Sequence, residues 1–310
     1  MLAALLTTLL FSMSAICGYR VARQIGGVEA NFWRICIAAV FLAAWANFFG
    51  TGTNGEALPL FALSGFIGIG LGDTGYFQAL TRLGTRRTVL ISQCLIAPMA
   101  ALIEWLWLGT KLNLGEIFFI TVILTGIAVA MAPGDHLEIP KRVMREGIVY
   151  GFLAALGGAL GAVLSRKAYA VAFAAGEHPD AGTTGYQRVV GGTLVPAIIL
   201  LVAKWRSAHS HGGVFESKTL DVSREKWGRI WPWVLGNGLA GQTLGVTAMQ
   251  WALEKTPTGI VTAVVAMTPV VLLPMTRVTD GEKIGIRSLA GAVISVVGVI
   301  GLAFFRLHSR

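Results

Sequence analysis

Residues 58–72 read LPLFALSGFIGIGLG, an apolar run with no polar position at helical spacing. A helix at the surface of a soluble protein carries a polar stripe, so this run predicts a helix surrounded by lipid or protein. The whole chain has the same character, because 55% of its 310 residues are hydrophobic and 13% are charged. Soluble domains average roughly 25% charged residues. The composition therefore predicts a helical membrane protein.

A window of about 20 residues, the length that crosses a hydrocarbon core, indicates ten membrane spans. Their expected limits are 1–20, 29–49, 58–82, 86–108, 115–133, 147–172, 184–203, 229–253, 258–276 and 284–306. The fold class predicted is all-α, a polytopic protein of ten transmembrane helices.

Charge and cysteine usage exclude several other classes of protein. The net charge of +9 comes from bases in short connections between spans, not from one folded face, so no nucleic-acid partner is expected. The three cysteines are far apart inside spans and form neither a disulfide framework nor a zinc motif. No metal and no cofactor are expected.

Landmarks recur in the same order in the two halves of the chain. Each half has an Arg early in its second span, an Ala-Leu pair near the end of its third, a proline within its fourth and a glycine in its fifth. These are Arg34 and Arg188, Ala79–Leu80 and Ala252–Leu253, Pro98 and Pro269, and Gly126 and Gly298. Because each set contains an odd number of spans, the second must insert upside down relative to the first. We therefore expect two inverted five-helix repeats, whose contact surface near the bilayer midplane is where transporters hold substrate.

The charged segment GDHLEIPKRVMRE, at 134–146, is the natural boundary between the repeats. It divides the chain into a first repeat at 1–133, this linker, and a second repeat at 147–306.

This order of landmarks resembles the EamA family of the drug/metabolite transporter superfamily, over nearly the whole chain. The resemblance implies two inverted five-helix repeats that export small metabolites such as amino acids, often by exchange with protons. Many members carry a Gly-Glu pair after the fourth and ninth spans. Gly281 and Glu282 match the second pair, but Leu108, Gly109, Thr110 and Lys111 replace the first.

Membrane orientation has two conflicting indications. Most of the 25 Lys and Arg residues lie in the connections after odd-numbered spans, which by the positive-inside rule places both termini outside. The resemblance to the EamA family implies cytoplasmic termini instead. Both orientations remain open at this point.

The stretch GIGLGDTGYF, at 68–77, contains the dinucleotide-binding spelling G-x-G-x-x-G. That motif needs a strand before it and a helix after it, whereas this copy and a second one at 236–241 lie inside apolar spans. The glycines instead predict close helix packing, because Gly68 with Gly72 and Gly157 with Gly161 are spaced four residues apart.

Asp73 and Glu104 are acids within predicted spans, where an ionised side chain costs on the order of 2.5–3.5 kcal/mol. Asp73 is expected either to accept protons during transport or to bridge neighbouring helices. Glu104, near the end of its span, is expected either to reach the headgroup region or to join the same pathway.

Arg34 and Arg188 stand at matching repeat positions and are expected either to snorkel to the interface or to pair with Asp73, Glu104 or an anionic substrate group. Pro98 and Pro269 are expected hinges, since each removes a backbone hydrogen bond. Other polar residues at similar depth are candidates for lining a substrate and proton pathway. They are Tyr76, Gln78, Gln93, Tyr186, Asn237, Gln242 and Gln250.

The favoured function is a secondary transporter in the cytoplasmic (inner) membrane, with a small-molecule substrate, the lipid bilayer and protons as partners. It is expected to be a monomer or a homodimer. A facilitative channel or permease is the alternative. A membrane-embedded enzyme is less favoured, because no predicted span contains a histidine and no nucleophile with its base is evident.

Overall fold

The computed structural model describes residues 1–131, 140–209, 224–280 and 285–308, and every regular element within those ranges is helical. The first two spans are Leu2–Ile25 and Gly27–Phe48. The third and fourth occupy Leu58–Gly65, a π-helical segment Phe66–Gly72, and Asp73–Leu108. The fifth, sixth and seventh are Leu114–Met131, Lys141–Ala174 and Ala181–His209. The eighth comprises Arg224–Asn237, the π-helical segment Gly238–Gly245, and Val246–Lys255. The ninth comprises Thr258–Val265 and Thr268–Asp280, and the tenth is Ile286–His308.

The prediction of an all-α polytopic protein is confirmed. Nine of the ten spans, as far as the structure describes them, are long and apolar enough to cross a membrane as helices. The eighth, Arg224–Lys255, is helical throughout but is not among these nine. Large apolar side chains face outward, as they do in lipid: the exposed fraction is 70% for Leu106 and 60% for Ile300.

The third and fourth spans are joined by helical backbone, although the sequence predicted a break between them. Contacts along the sixth span show that the chain nevertheless reverses. They are, in order, Gly68 with Gly161, Leu83 with Gly147, Ile91 with Gly151 and Ile96 with Gly158. The position on the sixth span falls and then rises again, so the chain turns back between Leu83 and Ile91.

The second half of the molecule is inverted relative to the first. The second and seventh spans run antiparallel, with Leu42 against Gly185 and Trp45 against Gly182. The fifth and tenth spans also run antiparallel, and their contacts are Gly115 with Phe305, Gly298 with Ile123 and Gly291 with Ala130. Equivalent spans of the two halves therefore point in opposite directions.

Equivalent spans of the two halves pack in equivalent ways, each against a span of the other half. The first span packs along the eighth as the sixth packs along the third. Each of these central spans also contains a π-helical segment, which ends immediately before Asp73 in the third span and immediately before Val246 in the eighth. π-helical turns are rare and often lie at functional sites, so the matched pair indicates a functional region in the third and eighth spans.

Glycine allows the third and sixth spans to approach backbone to backbone. A Cβ atom added to Gly161 would lie 2.8 Å from the Cα of Gly68, and one added to Gly157 would lie 2.8 Å from the Cα of Gly72. Such close approach is the usual route to helix association in lipid, where no hydrophobic force drives helices together.

We expect Gly161→Ala to destabilise the protein by about 1–3 kcal/mol, because the added methyl group forces two backbones apart. Thermal unfolding in detergent measures the effect. Gly228→Ala is the matched control, since its Cβ meets no atom within 4 Å in a helix. Alanine favours helix over glycine by about 1 kcal/mol, so the control should keep or raise the midpoint. Equal loss in both variants would contradict the packing role.

Candidate functional site

Asp73 is held between the two halves of the molecule. Its Oδ2 atom accepts a hydrogen bond from Nη2 of Arg34, at 2.5 Å, and another from Nε2 of Gln242, at 3.0 Å. Arg34 belongs to the first half and Gln242 to the π-helical segment of the second. Both bonds reach the same oxygen, so Oδ1 has no hydrogen-bond partner among the described residues. The side chain is 31% exposed although it lies within a span.

Arg34 is oriented by its own neighbours. Its Nε atom donates to Oδ1 of Asn31 at 3.1 Å, and its guanidinium lies 5.6 Å from the ring centroid of Phe77. Three contacts therefore hold this charge against Asp73 instead of letting it extend to the membrane surface.

Arg188 is buried more deeply and has different partners. It is 5% exposed, and its Nη1 atom donates to Oε1 of Gln250 at 2.9 Å. A Cβ atom on Gly68 would lie 3.2 Å from Nη2 of Arg188, so the guanidinium lies against the glycine face of the third span. Nε of Arg188 and Nε2 of Gln250 are buried donors without a partner in the described part of the chain.

These residues form one polar cluster, defined here as Arg34, Asp73, Arg188, Gln242 and Gln250. Arg34 and Arg188 both act electrostatically on Asp73, although only Arg34 forms an ion pair with it. Tyr76 is next to the cluster and feels the charges of Arg34 and Asp73. Two arginines and one carboxylate leave the cluster with one excess positive charge.

Several of the other candidate residues contact groups outside this cluster. Gln78 accepts a hydrogen bond from Nη1 of Arg82 at 2.7 Å, and Asn237 accepts one from the hydroxyl of Ser14 at 2.7 Å. Tyr186 packs against an apolar group that includes Ile69. Gln93 is partly buried in the fourth span.

Glu104 belongs to a second polar cluster, at the end of the molecule where the fourth span ends and the ninth span begins. Its Oε1 atom is 2.5 Å from Nε of Arg166, and its Oε2 atom accepts the backbone N–H of Thr258 at 2.6 Å. Arg166 also donates to the carbonyl oxygens of Leu253 and Thr256. Glu104 is 2% exposed. It therefore neither reaches the headgroups nor pairs with Arg34 or Arg188, and it ties the fourth span to the sixth, eighth and ninth.

Sequence reasoning missed Arg166 because the Lys and Arg residues of the sixth span were weighed only for orientation. The signal was present, since an arginine inside an apolar span needs a buried partner, and Glu104 was the intramembrane acid without one.

The connections after the second and sixth spans lie at the same end of the molecule as the Glu104 cluster. Oδ1 of Asp180 accepts the backbone N–H groups of Gly182 and Thr183 and the indole N–H of Trp45. Partial burial opposes ionisation, but these bonds and the Thr183 hydroxyl outweigh it, so the pKa of Asp180 lies below its usual range. Glu177 accepts the backbone N–H of Glu56, joining the two connections.

A cavity of about 10 Å³, room for a single water molecule, lies beside the polar cluster. Its lining residues are Val28, Asn31, Thr74, Phe77, Pro196 and Ile199. A larger cavity, of about 210 Å³, lies between the connections after the second and sixth spans. Small-molecule sites usually occupy roughly 300–1,000 Å³, so neither of these two cavities has the usual volume of a substrate site.

The two prolines lie in different local structure. Pro98 is within continuous helix, whereas Pro269 follows a break at residues 266–267 that divides the ninth span. Within the described ranges, no three His, Cys, Asp or Glu side chains are placed to hold a metal ion. Gly281 and Glu282 lie outside the described residues.

Two inverted helical halves around an intramembrane carboxylate and its cations define a transporter-type membrane protein. The sequence profile described as the EamA-like transporter family matches residues 1–132 and 145–304. The chain belongs to the EamA-like transporter family and is a multi-pass membrane transporter, as the landmarks in its sequence predicted.

The fold is shared with solved structures. One protein crystal structure superposes with a TM-score of 0.75. The match covers 99% of this chain and 98% of the chain in that structure, at 14% sequence identity. At that identity the likeness concerns the fold alone. No curated protein matches the sequence.

Proposed function

We propose that this transporter moves a small polar or amphipathic metabolite of amino-acid type outward across the cytoplasmic membrane, in exchange for protons, by alternating access. The observation that carries the proposal is the Asp73 carboxylate, held between the two halves with Oδ2 bonded and with a side chain that is 31% exposed. An intramembrane carboxylate of this kind is a functional site by default.

Competition for Oδ1 of Asp73 supplies the coupling between proton and substrate. When Oδ1 carries a proton, the carboxyl is neutral and its attraction for Arg34 weakens. When it is ionised, it accepts a hydrogen bond from a donor group of the substrate. Because one oxygen cannot do both, the carrier returns loaded with either a proton or a substrate, which makes the movement an exchange.

The Glu104 cluster supports an alternating mechanism. At that end Arg166 bridges the fourth, sixth and eighth spans through largely buried contacts, which hold these spans together. Toward the other end, the third and sixth spans are joined by the partly exposed pair of Arg82 and Glu146, which are 3.4 Å apart. Exposed pairs are weak, so this end opens at lower cost. Pro98 and Pro269 are the proposed hinges.

Counterflow in proteoliposomes tests the proposal. Vesicles preloaded with unlabelled amino acids are diluted into trace labelled amino acid of the same kind, and a carrier accumulates label transiently above equilibrium. A channel, the alternative function, gives only monotonic equilibration, and protein-free vesicles give the background. Absence of an overshoot for every compound in a broad metabolite panel would contradict the carrier proposal. Product formed from any panel compound would favour a membrane-embedded enzyme.

Orientation is tested separately, in intact cells. Outward transport is proposed from the resemblance to the family, which implies export and cytoplasmic termini. The distribution of Lys and Arg residues indicates instead that both termini lie outside. Accessibility of an added N-terminal tag to an external protease in intact cells decides between the two arrangements.

A further inference from the structure

The two halves of the polar cluster are not equivalent, although the repeat makes their backbones so. Asp73 and Val246 each stand directly after the π-helical segment of their half, and each stands six residues before its Ala-Leu pair. Arg34 and Arg188 occupy the matching positions in the second and seventh spans. The first half thus pairs its arginine with a carboxylate, and the second half has a valine where that carboxylate would be.

Arg188 is consequently a buried cation without a counter-charge of its own. It is 5% exposed, and its one hydrogen bond is to the neutral amide of Gln250, which is fully buried. Among the described residues no carboxylate lies within ion-pair distance of Arg188. Asp73 acts on it electrostatically but forms its ion pair with Arg34. Burying a charge is costly unless it is paired, so a missing partner at this position requires an explanation.

Hydrogen-bond donors of Arg188 and Gln250 that lack a partner indicate which chemical group would bind there. Nε of Arg188 and Nε2 of Gln250 are both buried N–H groups without a partner among the described residues. A carboxylate has two oxygens that accept such bonds and one negative charge, which is the charge needed to neutralise the cluster. Charge-assisted bonds of this kind are roughly twice as strong as neutral ones.

We infer that Arg188 and Gln250 bind the carboxylate of a monoanionic or zwitterionic substrate. The inference rests on the proposed transport function and names the substrate class of the same site. The carboxylate replaces the acid that the repeat lacks at Val246, while Oδ1 of Asp73 stays free for a proton or for the amino group of a zwitterion.

A matched panel tests the inference: leucine and phenylalanine with their primary amides and decarboxylated amines, together with benzoate and benzamide. Thermal stabilisation of the purified full chain reports binding, and exchange in proteoliposomes reports transport. We expect at least one carboxylate to bind roughly tenfold or more tightly than its amide. In Arg188→Gln that ratio should fall to near one, whereas Arg142→Gln, which removes an exposed cation, should keep it.

A second pair of variants keeps the test independent of damage to Arg188. Val246→Asp supplies the missing acid and should abolish the preference for carboxylates, while Val246→Asn adds similar bulk without charge and should retain it. An unchanged preference in Arg188→Gln, or equal loss in both Val246 variants, would overturn the inference.

The two readouts separate this inference from the proposed function. Transport of amines or amides without any preference for carboxylates would overturn the carboxylate site and leave the transporter intact. Carboxylate binding that depends on Arg188, without exchange of any panel compound, would support the site and contradict the proposed transport. Neither binding nor exchange of any panel compound would overturn both.

Discussion

Asp73→Asn is expected to abolish transport driven by a pH gradient while counterflow of substrate continues. Asparagine retains an oxygen that can accept the bonds from Arg34 and Gln242, but its side chain cannot carry a proton. The variant loses the step in which a proton returns the carrier. It can still exchange substrate for substrate, with weaker binding because Nδ2 of asparagine replaces the Oδ1 acceptor. The measurement is uptake or efflux in proteoliposomes with and without an imposed pH gradient.

Asp73→Glu is the matched control, since it keeps an ionisable carboxyl and should retain some dependence on the gradient. Arg34→Gln examines the partner: it leaves the carboxylate without its ion pair and should shift the pH at which exchange is half-maximal. A pH-gradient response in Asp73→Asn equal to that of the wild type would remove this residue from the coupling mechanism.

Glu104→Gln is expected to lower the free energy of unfolding by about 3 kcal/mol, because it leaves the Arg166 guanidinium, 23% exposed, without a counter-charge. Glutamine can still accept the backbone N–H of Thr258, so the substitution isolates the loss of charge. Denaturant unfolding of the purified protein in detergent provides the measurement. The double variant with Arg166→Gln should be no less stable than the single variant, because removing both charges leaves no unpaired ion.

Glu146→Gln serves as the control for this effect. Glu146 forms ion pairs with Arg82 and Arg142, and its side chain is 40% exposed. Loss of such an exposed pair costs little stability, so the control should stay close to the wild type. If Glu104→Gln behaved like Glu146→Gln, the Glu104 cluster would not be what holds that end closed.

The membrane class, the ten spans and the inverted repeat could be predicted from the chain because they depend on local properties. A run such as residues 58–72 has no polar face wherever it is placed, and the repeated landmarks keep their order without reference to any contact. The reversal between the third and fourth spans was expected at residues 83–85 and occurs between Leu83 and Ile91, although the backbone there is helical.

The ion pairs between side chains within the membrane spans could be predicted from the sequence only in part. The intramembrane acids and arginines were recognised by their cost in lipid, but an isolated charge does not indicate which of several spans carries its partner. Arg34 was one of several partners considered for Asp73. Arg166 was not considered for Glu104, because the two lie on spans whose contact depends on the packing of both halves.

By itself, the sequence determined that this chain is a ten-span membrane protein of two inverted halves with ionisable groups in its interior, since apolar length and residue order are properties of the chain alone. Only the tertiary structure decided that Asp73 bonds Arg34 and Gln242 from opposite halves, and that Arg188 has no acid of its own. The physical reason is that a charge within the bilayer is stabilised by atoms brought to it from distant spans, and their convergence exists only after the helices have packed.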